Sequence, residues 1–183
     1  MVERIIAIAA MPGAGKSIAS DVARELGYHV HSMGDIIRDE AKRLGIEPTP
    51  ANLGVITLEL RRKEGSAVVA RRLIEHITAD SASTAVVEGV RSVEEVEEFR
   101  KRFKVTVLAI ECSPKVRYSR LEARGRSDDP KSIDDFSERD ERELSFGIAK
   151  LIESADRRIV NEADVETFRR QAHEALAEMS KLG

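Results

Sequence analysis

The chain has 183 residues, of which 42% are hydrophobic and 34% are charged, and its formal net charge is −3. This composition predicts one soluble globular domain over residues 1–183 that is long enough to bury a core. It offers no general attraction to nucleic acid, and no apolar run approaches the ~18 residues that a membrane span requires.

The first predicted strand leads directly into a phosphate-binding loop. After the apolar run at positions 5–9, the sequence reads Ala10, Met11, Pro12, Gly13, Ala14, Gly15, Lys16 and Ser17. Such a loop holds nucleotide phosphates with backbone N–H groups at a helix N-terminus, and its glycines let the backbone approach closely. We expect Lys16 to reach the outer phosphates and the Ser17 hydroxyl to ligate Mg²⁺.

Strands and helices alternate along the rest of the chain. The predicted helices cover residues 16–26, 35–44, 51–63, 67–79, 93–103, 114–124 and 165–181, with a short charged helix after Pro130. Further strands are predicted at residues 28–31, 85–87, 105–110 and 158–160. This alternation predicts a five-stranded, mostly parallel sheet with helices on both faces. Ligands bind beyond the carboxyl ends of such strands.

The segment after the second strand carries an acid and a base. It reads SMGDIIR, in which Gly34 and Asp35 turn the chain into a helix. Asp35 complements the helix N-terminus, and Arg38 lies one turn further on, where it can grip a phosphate through two hydrogen bonds. The alternative is a capped helix with an exposed arginine.

The third strand ends in a similar combination of charges, VVEGVR. An acid at the end of a buried strand beside a phosphate loop typically holds Mg²⁺, so we expect Glu88 to do so directly or through water. Gly89 permits close approach of a ligand, and Arg91 offers a further clamp for a phosphate. A plain surface turn is the alternative interpretation.

The fourth strand precedes Cys112 and an arginine-rich region. Cys112 is the only cysteine, which excludes an internal disulfide and is typical of a cytoplasmic protein. The arginines of this region are Arg117, Arg120, Arg124, Arg126, Arg139 and Arg142. Phosphoryl transfer is catalysed mainly by neutralising charge, so we assign Arg124, Arg139 and Arg142 to a mobile cationic lid. A salt-bridged surface would have the same composition.

Together these segments resemble adenylate-kinase-like nucleoside monophosphate kinases. Over nearly its whole length the chain is most similar to small archaeal proteins classed as adenylate-kinase-related or dephospho-CoA-kinase-like. The resemblance implies a three-layer α/β/α P-loop NTPase fold, with an acceptor-binding helical region at about 33–80 and a small lid at about 125–145. It also implies ATP as phosphoryl donor with Mg²⁺ at residues 13–17, and it places Arg120 beside the ATP.

The resemblance also implies a second, phosphate-bearing ligand. The residues that would hold it are Gly34, Asp35, Arg38, Gly89 and Arg91. The chain departs from the family pattern at three points. Ala10 and Glu88 replace the commoner glycine and aspartate, and the proline usual between Gly89 and Arg91 is missing, which shortens that element by one residue.

We therefore expect an ATP-dependent phosphotransferase acting on a small nucleotide-like acceptor. The spacing of Asp35 and Arg38 favours a nucleoside monophosphate kinase, whereas a dephospho-CoA kinase would use Asp35 as general base towards a hydroxyl group. A third hypothesis, from another class, is an ATP-binding regulatory or assembly ATPase that has no small-molecule acceptor. No membrane partner is expected, because the sequence has no long apolar run. No nucleic-acid partner is expected, since only 4% of the residues are aromatic.

Overall fold

A parallel β-sheet forms the centre of the molecule. The computed structural model describes residues 1–125 and 129–181. The strands are β1 (Arg4–Ala10), β2 (His29–Ser32), β3 (Thr84–Glu88), β4 (Lys104–Glu111) and β5 (Arg157–Val160). They lie in the order β2-β3-β1-β4-β5, and every neighbouring pair is parallel. The predicted five-stranded sheet is confirmed, and it is parallel throughout rather than mostly parallel.

Helices connect the strands and cover both faces of the sheet. Those within the described residues are α1 (Lys16–Glu25), α2 (Met33–Arg43), α3 (Pro50–Glu64), α4 (Val68–Thr78), α5 (Val93–Arg100), α6 (Pro114–Arg124), α7 (Ile133–Ser145), α8 (Ile148–Glu153) and α9 (Val165–Met179). The sequence did not predict α8, because it has six residues and follows α7 across a single turn at Gly147 (φ 97°). No helix of this described part combines the length and apolar character needed to cross a membrane.

The side chains of β1 alternate between two apolar layers. Ile5 and Ala7 face a core that includes residues of α2, α3, α4, α5 and α8. Ile6 and Ile8 face a second core, built with residues of α1 and α9. Because side chains alternate along a strand, the apolar run Ile5–Ala10 of this central strand is buried on both faces. The predicted three-layer α/β/α fold is confirmed.

The strand order also determines where a ligand site forms. β1 lies between β3 and β4, and Ile8 of β1 is in register with Glu88 at the end of β3. The phosphate-binding loop follows β1, so it emerges between the ends of both neighbouring strands. In a parallel sheet a crevice forms at this point.

Candidate active site

One cavity lies beyond the carboxyl ends of β1 and β3, and its volume is about 690 Å³. Most of the residues singled out in the sequence line it: Ala10, Met11, Pro12, Gly13, Gly15, Lys16, Ser17, Gly34, Arg38, Glu88, Gly89, Arg91, Arg120, Arg124 and Arg139. Ala14, within the loop, is fully buried and does not line the cavity. Asp35 and Arg142 are not part of the lining either. The fold thus brings the two predicted ligand sites to one cavity.

The phosphate-binding loop depends on glycine at two positions. Gly13 (φ 80°) and Gly15 (φ 110°) adopt left-handed conformations, which side chains disfavour. A Cβ atom on Gly15 would collide with the side-chain amide of Asn161, and one on Gly13 would lie 2.8 Å from the carbonyl oxygen of Arg117. The loop ends where α1 begins at Lys16, with no acidic residue in the first turn. The positive end of the helix dipole is therefore available to an anion.

Asn161 supports this loop from behind, a role that the sequence analysis missed. Its side chain is buried, and Nδ2 donates a hydrogen bond of 2.8 Å to the carbonyl oxygen of Ala14. Its backbone oxygen and Oδ1 accept hydrogen bonds from Arg120 at 3.1 and 3.2 Å. The only sequence signal was its position directly after the last predicted strand. Asn161 links Arg120 to the phosphate-binding loop.

Arg117 is a second residue that the sequence analysis left without a role. It is 3% exposed, and its guanidinium donates hydrogen bonds to the Pro12 carbonyl oxygen at 3.1 Å and to Asp140 Oδ1 at 2.8 Å. The guanidinium carbon lies 4.9 Å from the centre of the Phe136 ring. The signal was its three-residue spacing from Arg120 on α6. Arg117 connects the loop to α7.

Two oxygen-bearing side chains in the cavity suit Mg²⁺. Ser17 and Glu88 both line it, and Glu88 Oε2 accepts a hydrogen bond of 2.6 Å from Ser20 Oγ. Over residues 1–125 and 129–181 no group of three or more His, Cys, Asp or Glu side chains is arranged to hold a metal ion. Mg²⁺ commonly takes one or two protein oxygens and completes its shell with water and phosphate, so this pair fits it.

On the side of the loop where β3 and β2 lie, α2 begins with a capped turn. Ser32 Oγ accepts a hydrogen bond of 3.2 Å from the backbone N–H of Gly34. Arg38 lines the cavity and pairs with Asp35, whose Oδ1 accepts from Arg38 Nε at 3.1 Å. Both side chains of this pair are more than half exposed. The structure therefore places Asp35 beside Arg38 and at the edge of the site.

Arg91 is held at three points. Its Nε lies 2.7 Å from Glu143 Oε2, and its backbone N–H donates to Glu95 Oε2 at 2.7 Å. Its guanidinium carbon lies 5.5 Å from the centre of the Phe146 ring. Glu95 is fully buried, which raises the pKa of its carboxyl group, and it pairs with Arg61 at 2.5 Å. Burial lowers the pKa of Arg61.

The predicted lid is only partly represented in the described residues. Residues 126–128 of the lid at about 125–145 lie outside them. Arg124 Nε donates to Asp129 Oδ2 at 2.9 Å, and Arg139 Nη1 lies 3.8 Å from the other oxygen of the same carboxylate. Arg142 is exposed on α7. Two of the three predicted lid arginines thus meet at the cavity and share an anionic partner.

The chain is similar to a known domain family and, over nearly its whole length, to archaeal proteins. A family model described as "AAA domain" matches residues 9–137. A UPF0200 protein from Hyperthermus butylicus is 44% identical over 179 residues, which cover 98% of this chain and 96% of the relative. A UPF0200 protein from Methanothrix thermoacetophila is 46% identical over 185 residues, covering 97% and 99% of the two chains.

Solved structures share the fold at low sequence identity. TT1252 from Thermus thermophilus has a TM-score of 0.67 and 22% identity, with full coverage of both chains. A shikimate kinase from Bacteroides thetaiotaomicron has a TM-score of 0.60 and 16% identity, covering 98% of this chain and 99% of its own. A gluconokinase from Sinorhizobium meliloti has a TM-score of 0.59 and 17% identity, covering 97% and 93%. At these identities the likeness shows the fold alone.

Proposed function

The chain belongs to the AAA domain family and, with its UPF0200 relatives, to the kinase-like P-loop proteins, and on this premise we propose that it is an ATP-dependent phosphotransferase. Its acceptor in this proposal is a small nucleotide-like molecule, and a nucleoside monophosphate is the preferred candidate. One observation carries the proposal. The loop residues Lys16 and Ser17 and the basic residues Arg38 and Arg91 line the same cavity of about 690 Å³.

The donor half of the proposed site is the phosphate-binding loop with the start of α1. Backbone N–H groups and Lys16 would hold the phosphates of ATP, because the loop and helix dipole favour anions there. Ser17 and Glu88 would hold Mg²⁺, which when bound neutralises phosphate charge. Arg120, fixed by Asn161, lies at the same wall of the cavity and would flank the nucleotide.

The lid arginines supply the second requirement of phosphoryl transfer, which is positive charge at the transferring group. Arg124 and Arg139 reach one carboxylate, that of Asp129, from two different helices. This geometry supports the proposal because two guanidinium groups of the cavity wall approach one anionic group. Arg142 is exposed on α7, the helix of Arg139, and would take part in transfer only after a change in the position of that helix.

The acceptor half rests on Gly34, Arg38, Gly89 and Arg91, which line the cavity on the side of α2 and β3. Two guanidinium groups in one wall suit a phosphate, which accepts several hydrogen bonds at once. Asp35 supports the alternative of a hydroxyl acceptor such as dephospho-CoA, since its carboxylate adjoins Arg38. As general base it would then have to reach the hydroxyl group.

Measurement of ADP formation across a set of acceptors tests the proposal. The purified protein is incubated with ATP and Mg²⁺ and with each nucleoside monophosphate, with dephospho-CoA, or with no acceptor. We expect ADP to form only when a nucleoside monophosphate is present, and Lys16→Ala to abolish it. Product from dephospho-CoA alone would support the alternative. Equal turnover with and without every acceptor would contradict both kinase hypotheses and indicate a regulatory or assembly ATPase.

A further inference from the structure

A buried carboxylate lies in a cavity wall whose charged side chains are mostly cationic. The basic side chains of this wall are Lys16, Arg38, Arg91, Arg120, Arg124 and Arg139. Only two acidic side chains, Glu88 and Glu143, accompany them among the described residues that line the cavity. Glu88 accepts a hydrogen bond from Ser20 and belongs to the proposed metal site. Glu143 has no role in the proposed transfer and faces the acceptor side.

Glu143 forms an ion pair with Arg91, whose guanidinium an acceptor anion would need. Its Oε2 lies 2.7 Å from Arg91 Nε, and the side chains of Arg91 and Glu143 are 34% and 9% exposed. The comparable pair at the same wall, Arg38 and Asp35, is 52% and 61% exposed. Water and salt screen an exposed pair strongly and a buried pair much less. An incoming anion therefore displaces Asp35 easily, whereas displacement of Glu143 requires a stronger competitor.

We propose that Glu143 is a specificity-determining residue: it competes with the acceptor for Arg91, so that only a ligand that binds strongly enough to displace it, such as a phosphate-bearing acceptor, occupies the site at moderate concentration. A phosphate monoester carries a charge of about −1.5 to −2 near pH 7 and three acceptor oxygens, so it offers Arg91 more charge and more acceptors than a carboxylate does. A single carboxylate offers no more to Arg91 than Glu143 already does, and an uncharged hydroxyl offers less. This inference rests on the proposed function and adds the rule by which the same site chooses its acceptor.

Contacts other than that with Glu143 hold Arg91 in place, so Arg91 can exchange Glu143 for a ligand without becoming disordered. Its backbone N–H is fixed by Glu95, and its guanidinium lies against the Phe146 ring, which also contacts the Arg61 guanidinium at 4.4 Å. These contacts do not involve Glu143. Arg91 consequently stays at the wall when Glu143 withdraws, and its charge becomes available to the ligand.

Titration with inorganic phosphate tests the competition directly. The full chain is first saturated with ADP and Mg²⁺, so that the phosphate-binding loop is occupied, and phosphate or acetate binding is then measured by calorimetry. We expect Glu143→Gln to bind phosphate about fivefold more tightly than the wild type, because Arg91 is no longer occupied by a charged competitor. Acetate should gain by a similar factor, because it competes with Glu143 for the same guanidinium. Glu141→Gln, at an exposed position on the same helix, should match the wild type.

A double-mutant cycle separates competition from general loosening. In an Arg91→Gln background, Glu143→Gln should bring no gain in phosphate affinity. Glu143→Asp keeps the charge on a shorter side chain and serves as a second variant, expected to bind phosphate between the wild type and Glu143→Gln. Unchanged or weaker phosphate binding by both variants overturns the inference. Absence of ADP formation with every acceptor would count against the proposed function only, since the phosphate titration involves no transfer.

Discussion

The buried guanidinium of Arg117 donates a hydrogen bond of 3.1 Å to the carbonyl oxygen of Pro12, 105 positions earlier in the chain. The same guanidinium holds both carboxylate oxygens of Asp140 on α7. A single side chain therefore connects the phosphate-binding loop to the helix that carries Arg139 and Glu143. A displacement of α7 would therefore shift Asp140 and, through Arg117, the Pro12 carbonyl group of the loop.

Replacement of Arg117 by methionine should be strongly destabilising. The variant leaves Asp140 without its buried partner and the Pro12 carbonyl without its donor, and we expect the free energy of unfolding to fall by about 3 kcal/mol. Urea denaturation measures this change, and nucleotide affinity should fall in parallel. Arg24→Met is the matched control, because Arg24 forms an exposed pair with Asp21 and should cost about 0.5 kcal/mol or less. Equal losses in the two variants would contradict this account of Arg117.

The loop glycines can be tested against a glycine in open space. Gly15→Ala combines a left-handed backbone with a collision against Asn161, and we expect loss of nucleotide binding and of at least about 2 kcal/mol of stability. Gly27 has φ 83° and no heavy atom within 4 Å of an added Cβ, so Gly27→Ala isolates the backbone cost, which is about 1 kcal/mol. Calorimetric titration with ATP and thermal melting compare the two. Retained ATP binding in Gly15→Ala would refute the steric argument.

Asp80 should make stability depend on pH in the acid range. Burial by itself would raise the pKa of Asp80, but hydrogen bonds from the Ala82 backbone N–H and from the rings of His31 and His29 lower it from 3.8 to about 2. A lowered carboxyl pKa stabilises the folded state fully above pH 4, and this contribution disappears as the pH falls towards 2.

Asp80→Asn removes that contribution. We expect the variant to be less stable than the wild type by about 1–2 kcal/mol at pH 6 and the difference to shrink between pH 4 and 2. Urea denaturation at a series of pH values measures it. A difference that is independent of pH over this interval would show that the charge of Asp80 is not responsible.

Glu95 and Arg61 form an ion pair with little access to water. Glu95→Gln leaves the Arg61 guanidinium, which is 10% exposed, without its counter-charge, and we expect a loss of about 3 kcal/mol. Arg61 Nε is already buried without a hydrogen-bond partner among the described residues. The double replacement Glu95→Gln with Arg61→Met should therefore recover much of the loss, since the glutamine side chain can still accept from the Arg91 backbone N–H. Urea denaturation of the single and double variants decides the point, and a double variant as unstable as the single one would argue against it.

The fold was predictable because its signals are local. The apolar runs at residues 5–9, 85–87 and 105–110 identify buried strands, and the glycines before Lys16 identify the loop. Strand alternation with helices then leads to a parallel sheet, and the site at its carboxyl edge follows from that topology. Among the described residues, the six-residue helix α8 was not predicted, since a segment that short carries little periodicity.

The partners of the charged side chains were not predictable in the same way. Arg139 lines the cavity whereas Arg142, three positions later, is exposed, and the buried Phe136 orients the helix that decides between them. Arg91 and Glu143 are far apart in sequence, so no spacing rule connects them. Charged residues make up 34% of this chain. Sequence spacing therefore identifies candidate charged side chains, but the tertiary structure determines which of them pair.

The central position of β1 divides the cavity wall between two stretches of the chain. Apart from the loop itself, one side of the wall comes from residues between positions 32 and 91, and the other comes from residues between 120 and 165. Relatives can therefore diverge on one side while the other is retained. The pair of Arg91 and Glu143 crosses this division. Substitutions at these two positions are expected to accompany one another during evolution, so that a change of acceptor is recorded in both halves of the sequence.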